Sequence, residues 1–239
     1  MMIHYRFLIE ELRYGGKQVI TFVICVALSI ATLTALNSFR RDVHGSLIDE
    51  ARDLQGGDII IHAHQPISDK LQRAVDNLVK DNRLEQQKTF EFYTVALSES
   101  KDNSLLSGIK AVESAYPFFG TITLSSGRQV GDALGPGKVV VAQEVLDRLN
   151  LSTGEKLIIG DMGFAIADVL VFESMRPVSF LSFGPRIFLS LADLDQLGLL
   201  GRGSRAEHEI LLRLAEPDDA ENITEMLSEA AVPRVERVE

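Results

Sequence analysis

The sequence predicts an α+β domain carried on one N-terminal membrane helix, and three observations lead there. Residues 19–39 contain no Asp, Glu, Lys or Arg. Beyond them, short β-branched runs alternate with amphipathic helical segments rather than repeating a single period. The acidic excess is confined to residues 40–239, within a net charge of −10 for 239 residues. The composition is otherwise that of a globular protein, with 46% apolar and 24% charged residues. A single cysteine, Cys25, excludes an intrachain disulfide and a cysteine-based zinc cluster. The acidic balance gives no basic footprint for nucleic acid, so no nucleic-acid partner is expected.

Val19 to Phe39 is 21 residues long. As a helix it measures about 32 Å, which matches a hydrocarbon core of roughly 30 Å. A buried soluble helix and a cleaved signal peptide are the rival readings. Ser29-Ile30-Ala31 has the small-x-small form of a cleavage site, but apolar chain continues past it, and Glu10 and Glu11 precede the span. Arg13 and Lys17 on one side and Arg40 and Arg41 on the other leave the orientation open. Residues 1–18 read as an amphipathic helix at the membrane surface, with Ile3, Phe7, Leu8 and Leu12 near one face. Residues 40–57 read as a stalk helix ending at Gly56-Gly57, with Val43, Leu47, Ile48, Ala51 and Leu54 at helical spacing.

After the stalk, residues 58–62 predict a strand, and Ser68 caps a helix over 69–81 with Leu71, Val75, Leu78 and Val79 on one face. Strands at 89–98 and 105–112 are expected to pair antiparallel across the polar turn 99–103. The order β-α-β-β opens a ferredoxin-like unit. Glycines then punctuate residues 118–179, where strands at 138–141, 157–159 and 164–172 and a helix at 143–149 predict a small β-rich inserted domain. Strands at 186–190 and 209–214 and a helix at 218–231 return to the first pattern. The first domain is therefore expected over 58–117 plus 180–239.

Catalytic and cofactor signatures are sparse. Gly131 to Val139 is the nearest approach to a phosphate loop, but its spacing is one residue too long and Val139 stands where a hydroxyl is required. These glycines are expected to form a turn before a strand. His62 and His64 share one face of a strand and could begin a metal site, yet no third ligand is apparent. No catalytic, cofactor-binding or metal residues are assigned. Between Pro177 and Pro185, Phe180, Leu181 and Phe183 form an apolar loop. Packing between subdomains is the ordinary role for such residues, and contact with a lipid, substrate or partner is the functional alternative.

The segments TALNSFRRDV after the span, LQGGDIII at the first strand, LDRLNLSTGEKLIIGDMGFAIADVL in the insertion and FLSFGPRIFLSLADLDQLGLLGRGSR after it resemble one family. It is the MacB/FtsX-type ABC transporter permeases, and among them the YbbP-like ones. The resemblance implies a porter-like periplasmic domain, a cytoplasmic N-terminus, and location in a bacterial inner membrane. It implies a non-catalytic membrane subunit with no cofactor of its own. Its partners would be a separately encoded ABC ATPase, further permease spans or a second permease subunit, the lipid bilayer, and a periplasmic acceptor or esterase. Cytoplasmic ATP hydrolysis would drive the periplasmic domain through the stalk, in export or extraction of a lipid-like cargo. Permeases of this type carry further spans after the domain, whereas this sequence shows one. A single-span anchored binding or scaffold protein without an ATPase is the alternative expectation.

Overall fold

The computed structural model describes residues 16–174, 184–198 and 206–239. The chain divides into two compact units, Met1–Glu50 and Ala51–Glu239. Helix α1, Gly16–Gln55, stops where Gly56 takes a positive φ of 78°. A left-handed residue cannot continue an α-helix, and glycine enters that region without a Cβ clash. Within α1 the segment Val19–Phe39 is long and apolar enough to cross a membrane, and none of it is buried. Ile20, Phe22, Leu33 and Phe39 all show more than half of their surface. The segment is therefore not a core helix of the described chain. The hydroxyls of Ser29, Thr32 and Thr34 each donate at 2.8 Å to the carbonyl four residues earlier. Three polar groups are thereby satisfied inside the helix, as a hydrocarbon environment requires.

Among the described residues of the second unit, ten strands form one mixed sheet. In chain order the elements are β1 (Ile59–Ala63), α2 (Asp69–Lys80), β2 (Leu84–Ser98), β3 (Ser104–Val112), β4 (Ile122–Leu124), α3 (Val130–Ala133) and β5 (Lys138–Ala142). There follow α4 (Gln143–Leu149), β6 (Lys156–Ile159), β7 (Met162–Glu173), β8 (Arg186–Ser190), α5 (Leu191–Leu194), β9 (Glu207–Leu214), α6 (Ala220–Ala230) and β10 (Glu236–Val238). The strand order is β10-β1-β9-β2-β3-β8-β5-β7-β4, with β6 pairing both β2 and β7.

The first four strands of that order make a double split. β9 lies between β1 and β2 and is antiparallel to both, and β1 lies between β9 and β10. Each β-α-β unit thus leaves a gap that the other fills, which is the ferredoxin-like arrangement. β3 is antiparallel to β2 across the turn, as expected, but it is not the third strand of this unit. That place belongs to β9, because the register Ile61↔Ile210 and Lys88↔Ile210 brings β9 against both parallel strands. The three-residue β10 carries only Glu-Arg-Val and gives no apolar alternation to read.

Helices α2 and α6 cover the double split. Leu71, Val75 and Leu78 of α2 and Ile223 and Leu227 of α6 pack on Ile59, Ile61, Ile210 and Leu212. Ser68 caps α2, and Glu236 ties the cap to the far end of the chain by accepting from the Ser68 amide at 2.5 Å and the Val232 amide at 2.7 Å. A second core on the same side joins Ile109, Val139, Val141, Phe164, Ile166, Ile187 and Leu189 beneath α4. β3 and β8 therefore pack with the glycine-punctuated strands, and they pair with each other in parallel. A third core lies on the opposite side, where Ile60, Val112, Tyr116, Val140, Phe188 and Leu211 meet Val130 and Ala133 of α3. Alternate residues of one strand thus feed different cores, as a two-sided sheet requires.

Glycines 131–137 form no phosphate cradle. Gly137 takes a φ of 68°, its amide donates to Asp193 Oδ2 at 3.0 Å, and its carbonyl accepts from Ala165. Gly131 sits in α3 so close to the Ser114 carbonyl that an added Cβ would lie 1.9 Å from that oxygen.

Asp168 of β7 organises the neighbouring turn. It accepts from the hydroxyls of Ser125 and Ser126, from the Val169 amide at 2.8 Å and from Arg128 at 3.1 Å. Burial alone would raise its pKa, but these donors hold the carboxylate well below its ordinary range. A depressed carboxylate contributes stability above its unfolded pKa and loses it as pH falls. The wild-type unfolding midpoint is expected to drop as pH goes below about 4, while Asp168→Asn, already weaker by about 1–3 kcal/mol at pH 7, shows a shallower acid branch. Urea unfolding from pH 7 to pH 3 checks this.

Candidate functional site

The face that carries the third core also carries a row of charges. Alternation along each strand puts them there. Glu207 and Glu209 share a face of β9 with Leu211, and Glu91 shares one of β2 with Thr89. Lys110 shares a face of β3 with Val112, and Arg186 one of β8 with Phe188. His62 of β1 stands directly across from Glu209, which stands across from Thr89.

At the right-hand end of the row Arg186 is the hub. Its Nη1 lies 2.6 Å from Glu91 Oε1 and its Nε lies 3.4 Å from Glu173 Oε2. The guanidinium is 7% exposed and the Glu173 carboxylate 1%. Burial works against the guanidinium charge, but Glu91 and then Glu173 outweigh it and raise the pKa. In the middle, Lys110 Nζ lies 3.6 Å from Glu209 Oε2 and 5.4 Å from the Tyr116 ring centroid. Thr89 Oγ1 donates to the same Glu209 oxygen at 2.9 Å. Burial would raise the Glu209 pKa, yet Lys110, His62 and Thr89 bring it down to about 2. At the left-hand end His62 Nδ1 faces Glu209 Oε1 at 3.4 Å and Glu207 Oε1 at 3.6 Å. Those carboxylates raise the imidazole pKa to about 9, against the opposing effect of burial.

Past the ion row the same face opens to solvent. Tyr93, Val95 and Leu106 are each close to half exposed. Gly184 and Pro185 border this area. The Pro185 carbonyl accepts from the Gly108 amide at 3.0 Å, and a Cβ on Gly184 would lie 2.1 Å from the Leu106 carbonyl oxygen. Phe180, Leu181 and Phe183, expected as a contact loop, lie outside the described residues.

His62 lies on β1, but His64 falls in the bend beyond Ala63, so the two histidines do not share a strand face as the H-x-H spacing predicts. The carboxylate neighbours of His62 were not found from the sequence, because β9 lies far along the chain. The available signal was Glu207-His208-Glu209, whose alternation on a strand puts two carboxylates on one face. His208 points the other way, with its ring 4.7 Å from that of Phe90.

At the junction with α1, the last helical turn is tied to the domain. Arg52 Nε pairs with Asp58 Oδ1 at 2.6 Å, and its guanidinium lies 5.6 Å from the Phe119 ring centroid. Asp53 accepts from the Gly120 amide through its carboxylate and from Ser174 Oγ through its carbonyl, both at 3.2 Å.

Fold and site together define a class: a ferredoxin-like α+β domain with a second sheet lobe, joined to a helix able to cross a membrane. Residues 19–230 match the MacB-like periplasmic core domain, and the chain belongs to that family. The uncharacterized ABC transporter permease YbbP of Escherichia coli (strain K12) is 26% identical over 183 residues, which make up 76% of this chain and 22% of YbbP. The chain thus spans about a fifth of that relative's length. Among solved structures, the periplasmic region of MacB from Actinobacillus actinomycetemcomitans shares the fold at 14% identity and a TM-score of 0.51, over 80% of this chain and 92% of that one. The extracellular domain of the noncanonic ABC-type transporter YknZ from Gram-positive bacteria is 10% identical with a TM-score of 0.47, over 76% of this chain and 99% of that one.

Proposed function

We propose that this chain is the membrane-anchored periplasmic portion of a permease in an ABC-type export or lipid-extraction system. The observation that carries this reading is a family match spanning both the apolar helix and the domain beyond it. On this reading the span ends at Val19 and Phe39, the N-terminus is cytoplasmic, residues 40–57 form the stalk, and the bulk of the chain is periplasmic in a bacterial inner membrane. The functional division is a porter-like part, 58–117 plus 180–239, and a β-rich insert, 118–179. The chain performs no chemistry itself. An ABC ATPase on a separate chain supplies the energy, and further permease spans or a second permease subunit complete the membrane part.

Motion passes through the stalk. Support for this is the unbroken helix Gly16–Gln55 and the clasp of Arg52 and Asp53 on the domain. A hydrogen-bonded helix is stiff along its axis, and its last turn is held at several points. The cargo is hydrophobic or lipid-like and passes to a periplasmic acceptor or esterase. Support for apolar contact is the open patch of Tyr93, Val95 and Leu106. The loop with Phe180, Leu181 and Phe183 is assigned to the same contact role.

The test is purification of the native protein from its own membranes in mild detergent. An ABC ATPase is expected to copurify in stoichiometric amount. Recovery as an anchored protein with no ATPase in any nucleotide state would instead make it a scaffold or binding module. Orientation is read from the Cys25→Ser variant carrying Ser100→Cys, where an impermeant maleimide added to spheroplasts should label the new thiol.

A further inference from the structure

The left-hand end of the charge row has the chemistry and spacing of a metal site. His62 Nδ1 is shielded from solvent and makes no hydrogen bond, although two carboxylates face it. Its separations of 3.4 and 3.6 Å from Glu209 Oε1 and Glu207 Oε1 are long for charge-assisted hydrogen bonds. They match the edges of a tetrahedron around an ion bound at about 2.0–2.2 Å, which are about 3.3–3.6 Å long. One atom from each of the three residues lies within 4.8 Å of the others.

The surroundings orient these ligands. Glu209 Oε2 is engaged by Thr89 Oγ1 and Lys110, which leaves Oε1 turned to the imidazole. On the far side of the ring, Nε2 lies 4.0 Å from Glu239 Oε2, beyond hydrogen-bond reach. Glu207 is 40% exposed, so an ion can enter and a water can complete the coordination. Charge balance favours a dication. Across the row, Glu91, Glu173, Glu207 and Glu209 face the fixed cations Arg186 and Lys110. A divalent ion on neutral His62 neutralises the set, whereas a proton leaves one negative charge over.

We infer that His62, Glu207 and Glu209 bind a divalent metal ion of the zinc class, with one imidazole nitrogen, two carboxylate oxygens and solvent as ligands. The ion joins β1 to β9, the two central strands of the double split, at the end of β1. A dication there replaces the imidazole proton, so it needs no rearrangement of the sheet.

The full chain is purified in detergent without a polyhistidine tag, stripped with a chelator, and titrated with ZnCl2 and separately with CoCl2. One equivalent is expected to bind, with visible absorption from four-coordinate cobalt and a higher melting temperature with zinc. Glu207→Gln changes a half-exposed side chain and should keep the fold, as circular dichroism will show. It should weaken binding at least tenfold and abolish the cobalt bands, and His62→Gln should do the same. His208→Gln, on the opposite face, should leave binding unchanged. Absence of stoichiometric binding in the wild type overturns the inference. So does wild-type affinity in both Glu207→Gln and His62→Gln, which would put the ion elsewhere.

Discussion

Replacing Arg186 with methionine is expected to destabilise the domain by about 3–5 kcal/mol, the usual cost of removing one partner from a buried ion pair. The reason lies in what remains behind. Glu173 is 1% exposed and, among the described residues, neither of its oxygens has a hydrogen-bond partner and Arg186 supplies the cation beside it. Glu91, 19% exposed, loses its contact at the same time. Methionine fills much of the space, so the loss is electrostatic rather than a matter of volume. The Arg186→Met/Glu173→Gln double variant should therefore recover at least half of the deficit, because it removes the orphaned charge. Urea unfolding at pH 7, followed by tyrosine emission since the chain has no tryptophan, measures both. A single variant within about 1 kcal/mol of wild type would mean that water reaches Glu173.

Phe188→Ala is expected to cost about 3–5 kcal/mol, as for a large aromatic deleted from a packed core. Phe188 is fully buried in β8, which lies between β3 and β5. Its ring centroid is 6.3 Å from that of Tyr116, and Val112, Val140 and Leu170 share its core. The flanking Ile187 and Leu189 belong to the core on the other side of the sheet. The cavity therefore opens on one side only and cannot be closed by moving the strand without disturbing the second core. Ile187→Val, which removes one methylene from that second core, should lose only about 0.5–1.5 kcal/mol. The same urea titration compares them.

These two residues show what local sequence carries and what it does not. The run Arg186–Ser190 reads as a strand because it is short, apolar and bounded by Pro185. Its partners cannot be read, since β3 and β5, which flank it in the sheet, both lie far before it in the chain. The span is legible because absence of charge over 21 residues is a local property. Helix α2 is legible for the same reason: Ser68 caps it and Leu71, Val75 and Leu78 recur at helical spacing. β2 is longer than its apolar pattern, because Glu85, Gln86, Gln87 and Lys88 extend it by pairing with β9. That extension depends on a tertiary neighbour and overrides their weak strand propensity. The His62 cluster follows the same rule. One half is visible as the alternation E-x-E and the other as a histidine at the end of an apolar strand run, and only the register His62↔Glu209 joins them.

The position of β1 bears on how the polypeptide reaches its native state. Both neighbours of β1 come from the far end of the domain, β9 on one side and β10 on the other. Until residues 207–238 have emerged, the isoleucine triplet Ile59-Ile60-Ile61 has neither edge hydrogen-bonded. A short apolar strand with two open edges is a template for wrong pairing. Sheets closed by such distant segments also form slowly. During biogenesis the interval between the appearance of β1 and that of β9 is thus the window of greatest aggregation risk, and the one in which a holding chaperone would matter most.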